Sequence, residues 1–481
     1  EKPFDQDSRF MQRLLLFLIL SSCLPVLWGQ EVLSSRINAL LRTLPEGSEV
    51  GLSVYDLTAK KSLYTHRDTK LSRPASTMKL LTAITALSRP DADEPFRTEV
   101  WYKGTIEHDT LRGDLYVIGG FDPEFDEHSM DSLVDNVITF PFSVISGKIY
   151  GDISMKDSLY WGAGWAWDDT PEAYQPYLSP LMYHKGMVTV TAAPGAAPGD
   201  TAKVSCYPVS SYYSLHNTAQ TRTPSAGKFV VTRGWLQNKN NITVTGNVEG
   251  KRSVDINVFS SQDFFMHAFL EKLRDRGIDV SREYDFSVFV PDSLSACMVR
   301  WERPVQDVLN QVMKESDNLS AEALLCRLGA QATGKRYVSA KEGIAEINRM
   351  IKQLGHNPDR YKIADGCGLS NYDYLSPALL VDFLKFAYSR TEVFRKLYKA
   401  LPVAGVDGTL KYRMKQSKAY KNVHAKTGSY TAINALAGYL KAANGHEIAF
   451  AIMNQNVLSA AKAREFQDKV CEVLCEINHN L

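Results

Sequence analysis

Ser72-Arg-Pro-Ala-Ser-Thr-Met-Lys-Leu-Leu-Thr-Ala83 is the stretch around which the rest of the chain is organised. Arg73-Pro74 breaks regular structure, and good helix formers follow from Thr77 to Leu87. Ser76 is therefore expected at a helix start, with Lys79 one turn on along the same face. A helix N-terminus directs free N–H groups and partial positive charge toward such a serine. A hydroxyl with an amine beside it is a candidate nucleophile and base. A capping serine followed by a surface lysine would read the same way. Ser-x-x-Lys also recurs at Ser225/Lys228 and Ser459/Lys462, so the rest of the chain has to decide.

The chain has 481 residues, more than one ordinary core, and two or three domains are expected. Its 44% hydrophobic, 23% charged and 10% aromatic residues describe a soluble globular protein. A formal net charge of +1 gives no electrostatic case for nucleic acid. Near the start, Met11 is followed by Gln12-Arg13, the apolar run Leu14 to Leu20 and a small-residue exit near Gly29. Residues 11–29 read as a secretory signal, too short for a membrane span. Leu20-Ser-Ser-Cys23 also resembles a lipoprotein processing site, which keeps lipid anchoring at Cys23 open. Either route places the protein outside the cytoplasm. Cys206, Cys297, Cys326, Cys367, Cys471 and Cys475 show no metal-ligand spacing and are read as buried thiols.

Val32 to Leu44 has helical periodicity, and Val50–Asp56 with Ser62–Thr65 reads as a hairpin. From 91 to 297 strand-like runs dominate, including 98–102, 115–118, 142–145, 187–191, 229–232 and 242–245, with one clear helix at 261–277. Helices return after Pro304, interrupted at Glu315–Ser320, with Ser320 as the expected cap of a helix over 321–328. Further helices are expected at 341–354 and 377–388. Strands at 422–426, 433–441 and 447–453 and a helix at 459–477 close the chain. Two strands at the start, three at the end and a terminal helix predict one sheet built from both chain ends.

Two further elements decide for Ser76. Ser316-Asp-Asn318 falls on a loop between helices, and Lys426-Thr-Gly428 at the end of an expected strand. Alone, the first is an ordinary helix-linking turn and the second an ordinary strand end. The order Ser-x-x-Lys, Ser-x-Asn, Lys-Thr-Gly is that of penicillin-interacting serine enzymes. The other two Ser-x-x-Lys matches fail on context: Ser225-Ala-Gly-Lys228 runs into a strand, and Ser459 follows Lys426-Thr-Gly428 and reads as the cap of the last helix.

With these motifs the chain resembles the class C low-molecular-mass penicillin-binding proteins, the D-alanyl-D-alanine carboxypeptidase/endopeptidase family. The likeness extends through Gly113–Pro123, Lys156–Trp165, Ser316–Glu322, Asp365–Ser370 and Leu401–Leu410. One departure is Cys367, where the family usually carries serine. The resemblance implies an α+β fold: a serine β-lactamase/transpeptidase-like domain (31–90 and 298–481), an antiparallel sheet flanked by helices, with an inserted, mainly β region (91–297) of two small domains. It implies Ser76 as nucleophile, Lys79 as base and Ser316 as proton carrier. Asn318, Lys426, Thr427 and Gly428 would bind substrate, and the N–H groups of Ser76 and Ser429 would form the oxyanion hole. The expected reaction is hydrolysis of D-Ala–D-Ala bonds in peptidoglycan stem peptides, blocked by β-lactam antibiotics, in the periplasm. No cofactor or metal is implied, and the ten histidines hold no His-Glu-x-x-His pattern. His424 reads as a packing residue, and Asp365 and Asp407 as turn formers. A β-lactamase or esterase on the same scaffold, a non-catalytic peptidoglycan-binding protein and a homodimer remain open.

Overall fold

The computed structural model describes residues 31–478; the expected signal segment and Cys23 lie outside the described residues. Strands from both ends of the chain form one five-stranded antiparallel sheet. Its order is His424–Tyr430, Ile433–Lys441, Glu447–Gln455, Glu49–Asp56, Lys61–His66. The three inner strands are apolar almost throughout because both faces are covered. Alternate side chains divide between two cores, as the pleat requires. Ala435, Ala437, Tyr439, Ala449 and Ala451 join one, and Leu436, Leu440, Ile448, Phe450 and Ile452 the other.

The second of these cores is closed by the helical residues 31–41 and by the terminal helix Ala460–Cys475. The first is closed by helices Met78–Leu87, Asn318–Thr333, Ala340–Gln353 and Pro377–Tyr388. Met78–Leu87 is buried along its whole length, so the segment after Ser76 is the central helix of the domain.

Between these parts lies a six-stranded sheet that includes the long hairpin Phe96–Glu107 and Thr110–Ile118. It packs with two helices, Glu127–Val137 and Ser261–Asp275, and with several shorter sheets. One apolar cluster runs through all of it from Val100 to Val299. The strand Ser295–Arg303 pairs with Phe96–Glu107, so position 297/298 falls inside a strand.

Local outcomes differ from the sequence reading at several elements. Ser76 sits in a short 3-10 turn, Ala75–Thr77, that leads into the helix beginning at Met78. The Asn318–Thr333 helix is capped by Asp317, whose side chain accepts the Ser320 N–H at 2.6 Å, and Ser320 lies inside it. Lys426-Thr-Gly428 lies within a strand, because the pairing continues through Gly428 opposite Ala435. Of the strand expected over 142–145 only Val144–Ile145 pairs. Helices Glu127–Val137 and Thr391–Ala400 were not anticipated.

Candidate active site

Lys79 is fully buried, and its Nζ reaches three oxygens: Ser76 Oγ at 3.0 Å, Asn318 Oδ1 at 2.6 Å and the Cys367 carbonyl at 2.7 Å. The last two are carbonyl oxygens and can only accept. They take the two N–H bonds of a neutral amine and leave its lone pair directed at the Ser76 hydroxyl. Burial lowers the Lys79 pKa, partly opposed by the carboxyl groups of Asp365, Asp317 and Glu322 nearby. The pair therefore has the geometry and the direction of shift that a serine–lysine nucleophile requires.

Lys426 is buried as well, and its Nζ donates to Ser316 Oγ and to the Thr427 carbonyl, both at 2.8 Å. Among the described residues it forms no ion pair. Burial, and then the nearby Lys79, hold its pKa far below the ordinary lysine value. Ser316 has a left-handed backbone (φ 60°) after the wide turn Gln311–Glu315, and Ala75 before the nucleophile has φ 46°. Non-glycine residues in this region store strain and cluster at functional sites.

Ser76, Ser316, Asn318, Ser429, Tyr430 and Asp169 are among the residues around one cavity of about 420 Å³. Thr427 and Gly428 are not among its lining residues. The Thr427 hydroxyl donates to Thr409 Oγ1 at 2.7 Å. A Cβ on Gly428 would stand 2.7 Å from the Pro74 carbonyl and 3.0 Å from the Ser76 nitrogen. That strand therefore lies against the turn carrying Ser76, and only glycine allows the approach. Ser76 N–H belongs to the first turn of a helix, where no intrahelical acceptor exists, and Ser429 lies on the edge strand. His424 stacks on Tyr398 at 4.0 Å, a packing role.

The inserted region supplies contacts that no motif announced. The Tyr174 carbonyl accepts Asn318 Nδ2–H at 2.8 Å. Lys185 bridges Asp317 at 2.9 Å and Glu124 at 3.0 Å. Burial alone would raise the Asp317 carboxyl, but Lys185 and the Ser320 N–H outweigh it and hold it below the ordinary range. The Trp165 indole donates to Asp365 Oδ2 at 2.9 Å. Asp365 also accepts the Gly368 N–H at 2.6 Å and the Ser370 N–H at 2.7 Å, shaping the loop whose Cys367 carbonyl meets Lys79. Glu124 and Trp165 stand next to or within stretches that carry the family likeness, but their partners lie far away in sequence.

Glu322, Asp365 and Cys367 are buried together and could in principle hold a cation. Burial and the two carboxylates raise the Cys367 thiol well above its usual value, so it is neutral. The carboxylates already accept loop N–H groups, including Gly366 N–H on Glu322 at 2.7 Å. Burial and then Asp365 push Glu322 up to about 7. Between the ordinary carboxyl value of 4.5 and about 7 the folded chain holds a proton there that the unfolded chain releases, so stability from this group falls as pH rises. Glu322→Gln is expected to melt a few degrees above wild type at about pH 8, with the gain shrinking toward about pH 5. An equal gain at both pH values in a thermal melt would disprove a titrating Glu322.

A sequence model of the D-Ala-D-Ala carboxypeptidase 3 (S13) family matches residues 33–477. A D-alanyl-D-alanine carboxypeptidase of Actinomadura sp. (strain R39) is 30% identical over 453 residues, covering 90% of this chain and 82% of the relative. D-alanyl-D-alanine carboxypeptidase DacB of Haemophilus influenzae is 25% identical over 426 residues, covering 86% and 87%. The crystal structure of penicillin binding protein 4 (dacB) from Haemophilus influenzae shares the fold, with a TM-score of 0.80 at 22% identity over 92% of this chain and 99% of that one. The chain belongs to the D-Ala-D-Ala carboxypeptidase 3 (S13) family of hydrolases.

Proposed function

We propose that the protein is a serine-type D-alanyl-D-alanine carboxypeptidase and/or D,D-endopeptidase acting on peptidoglycan stem peptides. The observation that carries this reading is Lys79 Nζ at 3.0 Å from Ser76 Oγ, with its other two hydrogen-bonding directions taken by carbonyl oxygens. Ser76 Oγ attacks the penultimate D-Ala carbonyl while its proton passes to neutral Lys79. The oxyanion is held by the N–H groups of Ser76 and Ser429, an arrangement that supplies much of such catalysis. Collapse breaks the C–N bond, and the departing amine takes a proton through Ser316. Water then attacks the acyl-serine, with Lys79 again as base, and releases the shortened peptide. Lys426, a buried amine with no described counter-ion, favours a ligand carboxylate, which would restore its charge. β-Lactams carry an amide carbonyl and a carboxylate in a comparable relation and would acylate Ser76.

Residues 11–29 would direct the chain out of the cytoplasm, to the periplasm. Among the described residues no helix is long and apolar enough to cross a membrane. We also propose that two segments, one running up to residue 90 and one following strand Ser295–Arg303, form the catalytic unit and that the chain between them is its insert, supported by the sheet shared between the chain ends and by the pairing of Ser295–Arg303 inside the insert's sheet.

Labelling with a fluorescent penicillin followed by peptide mapping tests the assignment. An adduct is expected on the Ser76 peptide and none in Ser76→Ala. An adduct on Ser459, or none in the wild type, would overturn it.

A further inference from the structure

Trp167 and Trp235 lie side by side on the inserted region, ring centroids 5.5 Å apart and planes 36° from parallel. Trp167 is 72% exposed, the extreme among the tryptophans exposed here. An indole left this open forfeits burial, and exposed apolar surface of this kind marks binding sites.

The pair is held rigidly from below. Buried Arg233, two residues before Trp235, donates to the Asn257 carbonyl at 2.8 Å and to Asn257 Oδ1 at 2.8 Å. Asn257 Nδ2 donates in turn to the Gln175 carbonyl at 2.7 Å, and buried Gln175 Nε2 to the carbonyl of Ala166, beside Trp167, at 2.7 Å. One buried polar chain thus fixes both tryptophan-bearing loops. The same loop that carries Trp167 continues through Asp169, which lines the catalytic cavity, to Tyr174, whose carbonyl holds Asn318. Trp167 and Asp169 are the two ends of one three-residue 3-10 turn, Trp167–Asp169, with only Asp168 between them.

We propose that Trp167 and Trp235 form a platform for a saccharide ring of the glycan strand to which the stem peptide is attached. The inference rests on the peptidoglycan reading given above. An N-acetylated amino-sugar ring has one face of C–H groups with partial positive charge, which suits the negative face of an indole. Its hydroxyl edge remains free for the polar residues beside the pair, such as Asp168 and Gln237. Tryptophan supplies this contact with little conformational entropy to lose.

The test is a titration of the full protein with tetra-N-acetylchitotetraose, a glycan without peptide, followed by tryptophan fluorescence and sedimentation. Saturable binding is expected in wild type and in Ser76→Ala. In Trp167→Ala and Trp235→Ala it should weaken on the order of tenfold, with Trp235→Phe retaining more than Trp235→Ala. The ratio of kcat/KM for a disaccharide-linked peptide over the free peptide should fall in the same two variants. No binding by wild type, or equal binding by the alanine variants, overturns the platform. So does a shift of Trp167→Ala from dimer to monomer with glycan binding unchanged, which would make the pair a subunit contact. Penicillin acylation of Ser76 is measured in parallel. If it succeeds while glycan binding fails, only the platform falls. If it fails, the proposed function falls, and the glycan titration still judges the platform.

Discussion

Lys79→Ala is expected to slow acylation of Ser76 by a fluorescent penicillin about 10²–10⁴-fold, the range for a lost general base. The argument starts from burial. A fully buried ammonium is disfavoured by desolvation, which outweighs the acidic groups nearby and lowers the Lys79 pKa. The neutral amine keeps two N–H bonds, to Asn318 Oδ1 and the Cys367 carbonyl, and turns its lone pair to Ser76 Oγ. Lys79→Arg should be equally slow, because a guanidinium stays protonated and cannot accept the proton. The sign of the pH dependence follows. Acylation by wild type rises with pH as Lys79 deprotonates, and levels off below the ordinary lysine value of 10.5. In Lys79→Ala that rise disappears. Stopped-flow labelling across pH measures both, and wild-type rates in Lys79→Ala would refute the base assignment.

Gly368→Ala is expected to cost about 3 kcal/mol or more of stability and to abolish penicillin labelling. Gly368 has φ +78°, in the left-handed region where a Cβ is strained. Space is a second and harder obstacle. The added Cβ would lie 2.0 Å from the Ala75 carbonyl oxygen and 2.8 Å from Met78 Cβ, so the nucleophile's turn or the loop has to move. The loop cannot shift harmlessly. Asp365 accepts its Gly368 N–H, Tyr430 donates to the Gly368 carbonyl at 2.7 Å, and the preceding Cys367 carbonyl holds Lys79. Cys367→Ser is the control, since it keeps the backbone and replaces a thiol that donates to Asp365 at 3.4 Å with a hydroxyl able to do the same. It should still label. A Gly368→Ala protein that melts and labels like wild type would show that the loop does not position the site.

Much of the catalytic unit could be read locally. Helix Pro377–Tyr388 begins and ends where its apolar spacing and Ser376-Pro377 start signal place it. Strand Ile433–Lys441 likewise matches its apolar run. The three motifs were legible because each is short and lies next to a recognisable helix start, turn or strand. Helix Glu127–Val137 shows why other elements were not. Its buried face, Met130, Leu133, Val134 and Val137, has helical spacing but is embedded among strand-like runs, and its cap Asp126 does not stand out among them. Ser320 was read as a cap because it precedes an apolar run. Asp317 prevails because its carboxylate reaches the Ser320 N–H while Lys185 neutralises it from the insert.

The sequence by itself determined the chemistry: a serine and a lysine one helical turn apart, a Ser-Asp-Asn turn, a Lys-Thr-Gly strand, and a sheet assembled from both ends of the chain. Tertiary structure alone decided what makes these residues work together. Lys79 loses its solvent because Asn318 and Cys367, 239 and 288 residues away, close over it. Lys426 is left without a described carboxylate, and Tyr174, Lys185 and Trp165 of the insert hold Asn318, Asp317 and Asp365 in place. Periodicity and capping report contacts within a few residues. A pKa depends on burial and on every charge nearby, and those are set by chain segments that meet only when the protein folds.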